Sequence, residues 1–324
     1  MIRHQQIDID VLKTRYCFGF GVSPNGSQFC GTYFVDSTTP DLTHRGEHRG
    51  LTFNRFNHVT REWGFKEKVF SGASGLSARA INDQGDIAGY FVEPSKDPSN
   101  SSIGKMIPYI WRRGTAEPFA FKLRHANFDA NLLAASVPNC IFAINNEGYV
   151  AGVCTIDGMQ QGFVARNESD FLVLRKAPTC IVRGMNAARH IVGTYTPAGG
   201  QQTGFISVDV ANNYAEWKKV VFIKNNQEMK TVVTSINDVG QFVGQYRDGM
   251  GNDAPIHGFR GAVDTFTTLV EVPDFPEVPE MQLAGISNHA VMIGTAIGPP
   301  EGLAIDFAPK PCFPFLCREG LGGL

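Results

Sequence analysis

The sequence predicts an all-β protein, a single six-bladed β-propeller with four-stranded antiparallel blades. A short turn flanked by two apolar runs occurs six times, and further strand-like runs follow the copies. The copies start 59, 63, 41, 51 and 50 residues apart. A period of about 40–50 residues with four strands per unit is typical of a propeller blade.

The repeated turn carries residues that favour a chain reversal. Its clearest copy reads INDQGDIAGY and starts at Ile81; the others start at Val22, Ile144, Met185, Ile236 and Ile286. Asn and Asp bond to their own backbone, and Gly adopts positive φ without steric cost. Hairpins are therefore expected near residues 16–33, 77–90, 140–153, 181–195, 232–246 and 282–296. Two copies carry Arg189 and Ala290 instead of the turn glycine, which predicts tighter or slightly strained turns.

Two more runs after the hairpins supply the third and fourth strands of a blade. The third strand contains a Gly-aromatic step, as in Gly162-Phe163, and the last copy offers Gly302-Leu303-Ala304 as a variant. Outer strands are predicted over residues 119–123, 171–174, 216–220 and 266–270.

The last copy has no clear outer strand of its own. The alternating N-terminal run from His4 to Val11 is expected to pair with this blade and close the ring. The alternative is a strand from the C-terminal tail, but Pro311 and Pro314 suit a central strand poorly. Residues 310–324 are therefore expected to form an irregular tail.

Composition limits the classes of partner. One domain over residues 1–324 is expected, and a net charge of −2 gives no basic excess for nucleic-acid binding. The polar N-terminus shows no secretory signal, and no apolar run reaches membrane-spanning length, so a cytoplasmic protein is expected. The seven cysteines then favour free thiols, with a Cys312–Cys317 pair as the alternative.

The predicted topology places the long loops opposite the short turns, around the mouth of a central channel. Loops between the second and third strands, and between blades, are the usual place for binding on such a scaffold. The side chain two residues before the first residue of each repeated turn differs from blade to blade. These residues are Phe20, Arg79, Phe142, Arg183, Thr234 and Ala284. Arginines on innermost strands are costly unless they pair with a carboxylate or face water or a ligand. Both alternatives stay open for Arg79 and Arg183.

The sequence gives little support for any of the familiar catalytic motifs. His44-Arg45-Gly46-Glu47-His48 spells a metallopeptidase motif, but a glycine and the flanking strands argue against the helix that this motif needs. His257 belongs to a His-Gly-Phe repeat element and is expected to be structural. Tyr33, Tyr90, Tyr195 and Tyr246 recur at one repeat position, which favours packing. No metal and no cofactor are expected.

The repeat resembles the HAF-type pattern, which the residues from Ile236 to Pro273 match nearly throughout, including His257-Gly258-Phe259. In overall pattern and size the chain resembles the fungal hetero-Diels–Alderases that build tropolone sesquiterpenoids. The resemblance implies cycloaddition between a tropolone quinone methide and a humulene-type alkene, with small apolar molecules as partners.

The site residues for this reaction come from the channel argument. Arg79 and Arg183 are the candidate catalytic residues, because they could polarise a tropolone oxygen. The candidate substrate-binding residues are Phe20, Phe142, Thr234, Tyr109 and Trp111. A non-catalytic binding or scaffold propeller that uses its loop face is the alternative, and a hydrolase or lyase with loop-borne acid and base is a weaker one.

Overall fold

The protein is an all-β, six-bladed propeller, which confirms the predicted fold class. The computed structural model describes residues 2–7, 17–34, 48–54, 65–71, 73, 75–93, 105–125, 139–249, 251, 254–274, 278, 280–297 and 312–319. They form six four-stranded antiparallel sheets and one two-stranded hairpin. Within these ranges, no helix is long and apolar enough to cross a membrane.

The sheets are numbered first to sixth by the chain order of their inner strands. From the inner to the outer strand, the first sheet contains Cys17–Val22, Gln28–Phe34, His48–Asn54 and Phe65–Lys68. The second contains Gly75–Ile81, Ile87–Glu93, Lys105–Trp111 and Phe119–Ala120. The third contains Cys140–Ile144, Val150–Ile156, Met159–Ala165 and Phe171–Leu174.

The fourth sheet contains Thr179–Met185, Ile191–Thr196, Thr203–Ser207 and Lys218–Val220. The fifth contains Thr231–Ile236, Gln241–Arg247, Ile256–Ala262 and Val270–Glu271. The sixth contains Glu280–Ile286, Val291–Ile297, Cys312–Glu319 and Ile2–Gln6. The two-stranded hairpin, Ile223–Lys224 with Gln227–Glu228, connects the fourth and fifth sheets.

The sixth sheet combines strands from both ends of the chain. The N-terminal strand Ile2–Gln6 is its outer strand and pairs antiparallel with Cys312–Glu319. Cys312–Glu319 is the third strand, so the prediction of an irregular tail is wrong for these residues. The expected third strand at Gly302-Leu303-Ala304 lies outside the described residues.

Pro314 lies in this central strand, opposite Thr295, although proline was expected to disfavour it. The equivalent residue is Pro108 in the second sheet and glycine elsewhere: Gly50, Gly162, Gly204 and Gly258. The carbonyls of both prolines still accept hydrogen bonds on the outer side, from Ile7 N at 3.1 Å and Phe121 N at 2.8 Å. The proline therefore removes one donor from the ladder and leaves the pairing with the outer chain in place.

The outer strands are shorter than predicted in three sheets. The prediction holds for Phe171–Leu174, whereas the second, fourth and fifth sheets pair only Phe119–Ala120, Lys218–Val220 and Val270–Glu271. In the fifth sheet a 3-10 turn at Val263–Thr265 occupies the approach to that strand, so Phe266 is not part of it. The outer strand of the first sheet, Phe65–Lys68, was not among the predicted outer strands.

Arg189 and Ala290 adopt the backbone conformation that the turn needs, at φ 63° and 55°. The glycines at the same position have φ between 72° and 83°, as in Gly26 and Gly148. Arg189 N donates to Asn186 O at 3.0 Å, as the glycine amides do in their turns. The two turns are therefore strained, as predicted, but they keep the length and hydrogen bonding of the others.

Hydrogen bonds between consecutive short turns join neighbouring sheets. Asn side-chain amides donate to the next turn's backbone: Asn82 to Asn145 O at 3.3 Å, Asn145 to Asn186 O at 3.4 Å, Asn186 to Asn237 O at 3.1 Å and Asn237 to Ser287 O at 2.8 Å. Asn25 N donates to Asp83 Oδ1 at 2.9 Å, which joins the first sheet to the second. Asn288 N donates to Pro24 O at 2.7 Å, which joins the sixth to the first. All six neighbouring pairs are thus linked on this face.

Apolar side chains fill the space between neighbouring sheets. Phe29 and Leu51 of the first sheet pack with Ile293 and Leu316 of the sixth. The six cysteines described with their side chains are buried free thiols, and Cys317 is one of them. A Cys312–Cys317 disulfide is therefore absent, because five residues of one strand span about 16 Å, far more than the Cα separation of a disulfide.

Exchange of the turn residues should reveal the strain at Ala290. We expect Ala290→Gly to raise the free energy of unfolding by about 0.5–1 kcal/mol, because glycine relieves the left-handed strain at some entropic cost. The matched change Gly240→Ala should lower it by a similar amount, since the nearest atom to an added Cβ is 3.7 Å away and the cost is purely conformational. Urea titration measures both values; equal signs for the two variants would contradict the prediction.

Candidate functional site

Each inner strand contains a β-bulge at the same position. The pairing with the second strand skips one residue in every sheet, between Gly19 and Gly21 in the first and between Ala78 and Ala80 in the second. The skipped residues are Phe20, Arg79, Phe142, Arg183, Thr234 and Ala284. We call these six residues the axial ring. A bulge bends its strand and re-aims one side chain, and here it does so once per sheet.

The repeat glycine in the second strand makes the bulge possible. A Cβ on Gly89 would lie 1.9 Å from Ser77 O, and one on Gly152 would lie 2.0 Å from Cys140 O. The equivalent glycines in the other four sheets meet an inner-strand carbonyl oxygen at 2.0 to 2.3 Å. Only glycine fits there, because backbone atoms cannot move aside as a side chain can.

The axial ring lines two cavities on the propeller axis. One has a volume of about 60 Å³ and lies on the side of the short turns, beside Asn146, Asp238 and Asn288. The other has a volume of about 110 Å³ and lies on the loop side, beside Gln245 and Gln282. All six ring residues line both cavities, so a ligand in either one meets the same side chains.

Arg79 lies against an aromatic face and a phenol. Its guanidinium carbon is 3.8 Å from the centre of the Phe20 ring, and its Nη2 donates to Tyr90 Oη at 3.5 Å. Its Nε is buried without a hydrogen-bond partner among the described residues. Cation–π contact of this kind is worth about 2 kcal/mol when desolvated, and it holds the guanidinium while leaving most of its N–H groups open.

Arg183 repeats this arrangement two sheets further on, without the phenol. Its guanidinium carbon is 5.2 Å from the centre of the Phe142 ring, and its Nε is also buried without a hydrogen-bond partner in the described chain. Burial and the neighbouring charge of Arg79 lower its pKa to about 10. The two cations thus repel each other across the axis.

No anion among the described residues neutralises this pair. The groups that act on the Arg183 charge are Arg79 and the thiol of Cys140, and no carboxylate is one of them. Burial raises the pKa of Cys140 to about 12, so this thiol is neutral at pH 7. Pairing of the arginines with a carboxylate across blades, the structural alternative, is therefore not found in the described part of the chain. The arrangement is suited to bind an anion or a strongly polarised oxygen.

Thr234 also belongs to the axial ring, but the backbone satisfies its hydroxyl. Its Oγ1 lies 2.8 Å from Leu283 O and 3.2 Å from Val243 O, and so it connects the fifth and sixth sheets. The structure therefore places five of the seven residues predicted for the site at the axis.

Tyr109 and Trp111 are not brought to the axis, because they lie in the third strand of their sheet. Tyr109 is fully buried, and its hydroxyl has no hydrogen-bond partner within the described ranges. Trp111 lines a cavity on the flank, where its Nε1 donates to Thr115 O at 3.0 Å and the Lys68 ammonium lies 4.8 Å from its ring centre. Neither lines the two axial cavities, although burial, which raises the pKa of the Tyr109 hydroxyl, is opposed there by the charge of Arg79.

A polar cluster on the fifth sheet is a repeat feature and not a second site. Tyr246 Oη donates to Glu271 at 2.7 Å, and His257 Nδ1 lies 3.0 Å from Asp274. The first sheet repeats the pattern with Tyr33, Glu67 and Arg49 at equivalent positions. His257 pairs with Asp274 in this cluster, and its structural role stays a prediction.

The described residues hold no group of three or more side chains that could bind a metal ion. His44 and Glu47 of the metallopeptidase-like run lie outside the described residues. Gln245 and Gln282 are the cavity residues that the sequence analysis missed. Gln245 follows the repeat glycine directly, at a position where the other sheets vary, and this variation was the available signal.

Comparisons with known proteins identify the fold but not a family. No protein-family model and no curated protein matches the chain. Its structure is similar to Trypanosoma rangeli sialidase in complex with the inhibitor DANA, with a TM-score of 0.51 and 10% identity over 93% of this chain. A polysaccharide lyase of family PL25, an ulvan lyase, gives a TM-score of 0.40 and 10% identity over 89% of this chain and 76% of its own. The chain spans 54% of the sialidase chain, and at this identity the likeness shows the propeller fold alone.

Removal of the Arg183 charge should stabilise the fold. The lowered pKa means that the folded state binds this proton less tightly than the unfolded state, so the charge opposes folding at every pH below about 10. We expect Arg183→Met to raise the melting temperature at pH 7. The contrasting change Arg112→Met should lower it, because it breaks a 2.7 Å ion pair with Asp86. Calorimetry compares the two; a similar fall for both would show that Arg183 has a stabilising partner.

Proposed function

We propose that the protein is a hetero-Diels–Alderase that joins a tropolone quinone methide to a humulene-type alkene at the propeller axis. The observation that carries this proposal is the pair Arg79 and Arg183, each against a phenylalanine face and neither with a carboxylate partner in the described residues. A tropolone offers adjacent oxygens on a planar ring. Guanidinium groups bind such oxygens, and aromatic faces pack against the ring.

The first step forms the quinone methide from a hydroxymethyl tropolone. The ring hydroxyl loses its proton, the bond from the methylene carbon to its hydroxyl breaks, and the two fragments leave as one water. Negative charge develops on the ring oxygen as its proton departs. N–H groups of Arg79 and Arg183 stabilise this charge in a site with little water.

The second step is the cycloaddition. The exocyclic methylene and the ring carbonyl of the quinone methide form the heterodiene, and a terpene double bond adds across it. One C–C bond and one C–O bond form, no atom leaves, and no cofactor takes part. The protein contributes by holding both partners in reactive geometry, which can supply up to about 7–11 kcal/mol.

In this proposal the tropolone portion binds in the loop-side cavity, which Arg79 and Arg183 both line, and the terpene extends towards the loop face. Phe20 and Phe142 would pack on the planar ring from the first and third sheets. The alternative function, a binding or scaffold propeller, would use the loop face without chemistry at the axis.

A product assay tests the proposal directly. The purified protein is incubated with a hydroxymethyl tropolone and a humulene alcohol, and the products are compared with a buffer control by chiral chromatography. We expect one stereoisomer, formed faster than background. A background mixture formed at the background rate would reject the enzyme and favour the binding propeller.

The arginine role has its own variant test. Arg183→Ala should lower kcat by about 100- to 1000-fold, as the loss of an oxyanion donor does, while the melting temperature changes by only a few degrees. The exposed Arg113 supplies a control, and Arg113→Ala should leave kcat unchanged. Full activity of Arg183→Ala would remove this residue from the mechanism, and unfolding would identify it as a structural group.

A further inference from the structure

The axial ring is asymmetric. The first four sheets contribute large side chains, alternately Phe and Arg, whereas the fifth and sixth contribute Thr234 and Ala284. The free space of the loop-side cavity therefore lies against the fifth and sixth sheets. The two arginines belong to the second and fourth sheets, outside this open side.

Two glutamines line the cavity on this open side. Gln245 belongs to the second strand of the fifth sheet, and Gln282 belongs to the inner strand of the sixth, two residues before the bulge. Both residues are half-buried. Neither side-chain amide makes a hydrogen bond within the described residues. By contrast, Gln28 Nε2 donates to Asp83 O of the next turn, and Gln241 Oε1 accepts from Asn237 Nδ2 of its own turn.

The two threonine hydroxyls on this wall already make hydrogen bonds with the backbone. Thr295 Oγ1 accepts a hydrogen bond from Gly19 N at 3.2 Å, and Thr234 Oγ1 faces two carbonyl oxygens. Gln245 and Gln282 are thus the side chains on this side of the cavity whose polar atoms make no hydrogen bond within the described residues. Each primary amide offers two donors and one acceptor, and it carries no charge.

We propose that Gln245 and Gln282 form a second subsite, which binds a neutral oxygen group, an alcohol or a ketone, on the terpene partner. The inference rests on the proposed function and adds how the two reactants are sorted. The oxygen-rich ring, which develops negative charge, binds to Arg79 and Arg183. The neutral oxygen of the other reactant binds to Gln245 and Gln282. The small side chains of Thr234 and Ala284 leave room for the hydrocarbon.

This sorting fixes the face on which the alkene meets the heterodiene. A hydrocarbon ring alone gives the cavity few features by which to orient it. One hydrogen-bonded oxygen removes the freedom to rotate about the long axis of the terpene. The glutamines therefore act as specificity-determining residues that select the stereoisomer.

The test measures binding first and turnover second. Probes are tropolone, a humulene alcohol and the parent humulene hydrocarbon, each titrated into the wild type, Gln282→Leu, Gln245→Leu and the double variant. Leucine keeps similar bulk and cannot form a hydrogen bond. Gln227→Leu, in the exposed two-stranded hairpin, is the matched control.

We expect each single variant to weaken binding of the alcohol by roughly 10-fold, as the loss of one directed hydrogen bond does, and to leave the hydrocarbon and tropolone unaffected. In turnover, the double variant should raise the KM for the alcohol and give a mixture of stereoisomers. The Gln227→Leu control should match the wild type in every measurement.

The outcomes separate the two proposals. Wild-type protein that binds the alcohol no better than the hydrocarbon overturns the subsite, whatever the assay of turnover gives. An equal loss of alcohol and hydrocarbon binding in the variants also overturns it, because that result indicates a change of shape. Failure of the proposed function would appear differently, as no binding of tropolone and no turnover by the wild type.

Discussion

The hydrogen bonds between consecutive short turns are the constraint on which the rest of the propeller depends. A buried Asn amide uses its oxygen to hold its own turn and its nitrogen to reach the backbone of the next one, as Asn186 does with His190 N and Asn237 O. Such a group is costly to leave unsatisfied, so the spacing of neighbouring turns is fixed. The sheets then converge at one angle, and the inner strands meet the axis in the same register. Six bulges at one level follow from that register.

The charges at the axis disfavour the folded state, in contrast to the hydrogen bonds between the turns. Two guanidinium groups line the same cavities, and the only described charge that acts on Arg183 with the same sign is Arg79. Protein interiors rarely keep such charges without a partner. Sites of this kind are typical of functional regions, where strain is balanced by the ligand. The Phe20 and Phe142 faces reduce the penalty and leave the outward N–H groups unoccupied.

Much of the scaffold could be predicted from the sequence, because the turn chemistry is local. Asn, Asp and Gly specify the hairpins by their own conformational preferences, and alternation specifies the strands. The sixth sheet was harder, since its third strand contains Pro314 and its outer strand comes from the other end of the chain. The axial-ring positions could be recognised in the sequence because they vary between the copies. Their bulges could not be recognised, because the glycine that permits each bulge lies on the partner strand. Tyr109 and Trp111 were predicted for the site but lie in the third strand of their sheet. A residue that departs from the repeat pattern need not lie near the axis.

The bulge gives each repeat one side chain that the scaffold does not specify. The strands tolerate residues from Ala284 to Arg183 at this position, while the turn asparagines and the partner glycines admit little change. In such a chain the residues that specify the fold are therefore different from the residues that determine the chemistry. Gene duplicates could exchange six codons and acquire a different ligand preference without losing the ability to fold. Whole-chain similarity among proteins of this kind would then report common ancestry, and the six ring positions would be the better guide to shared substrates.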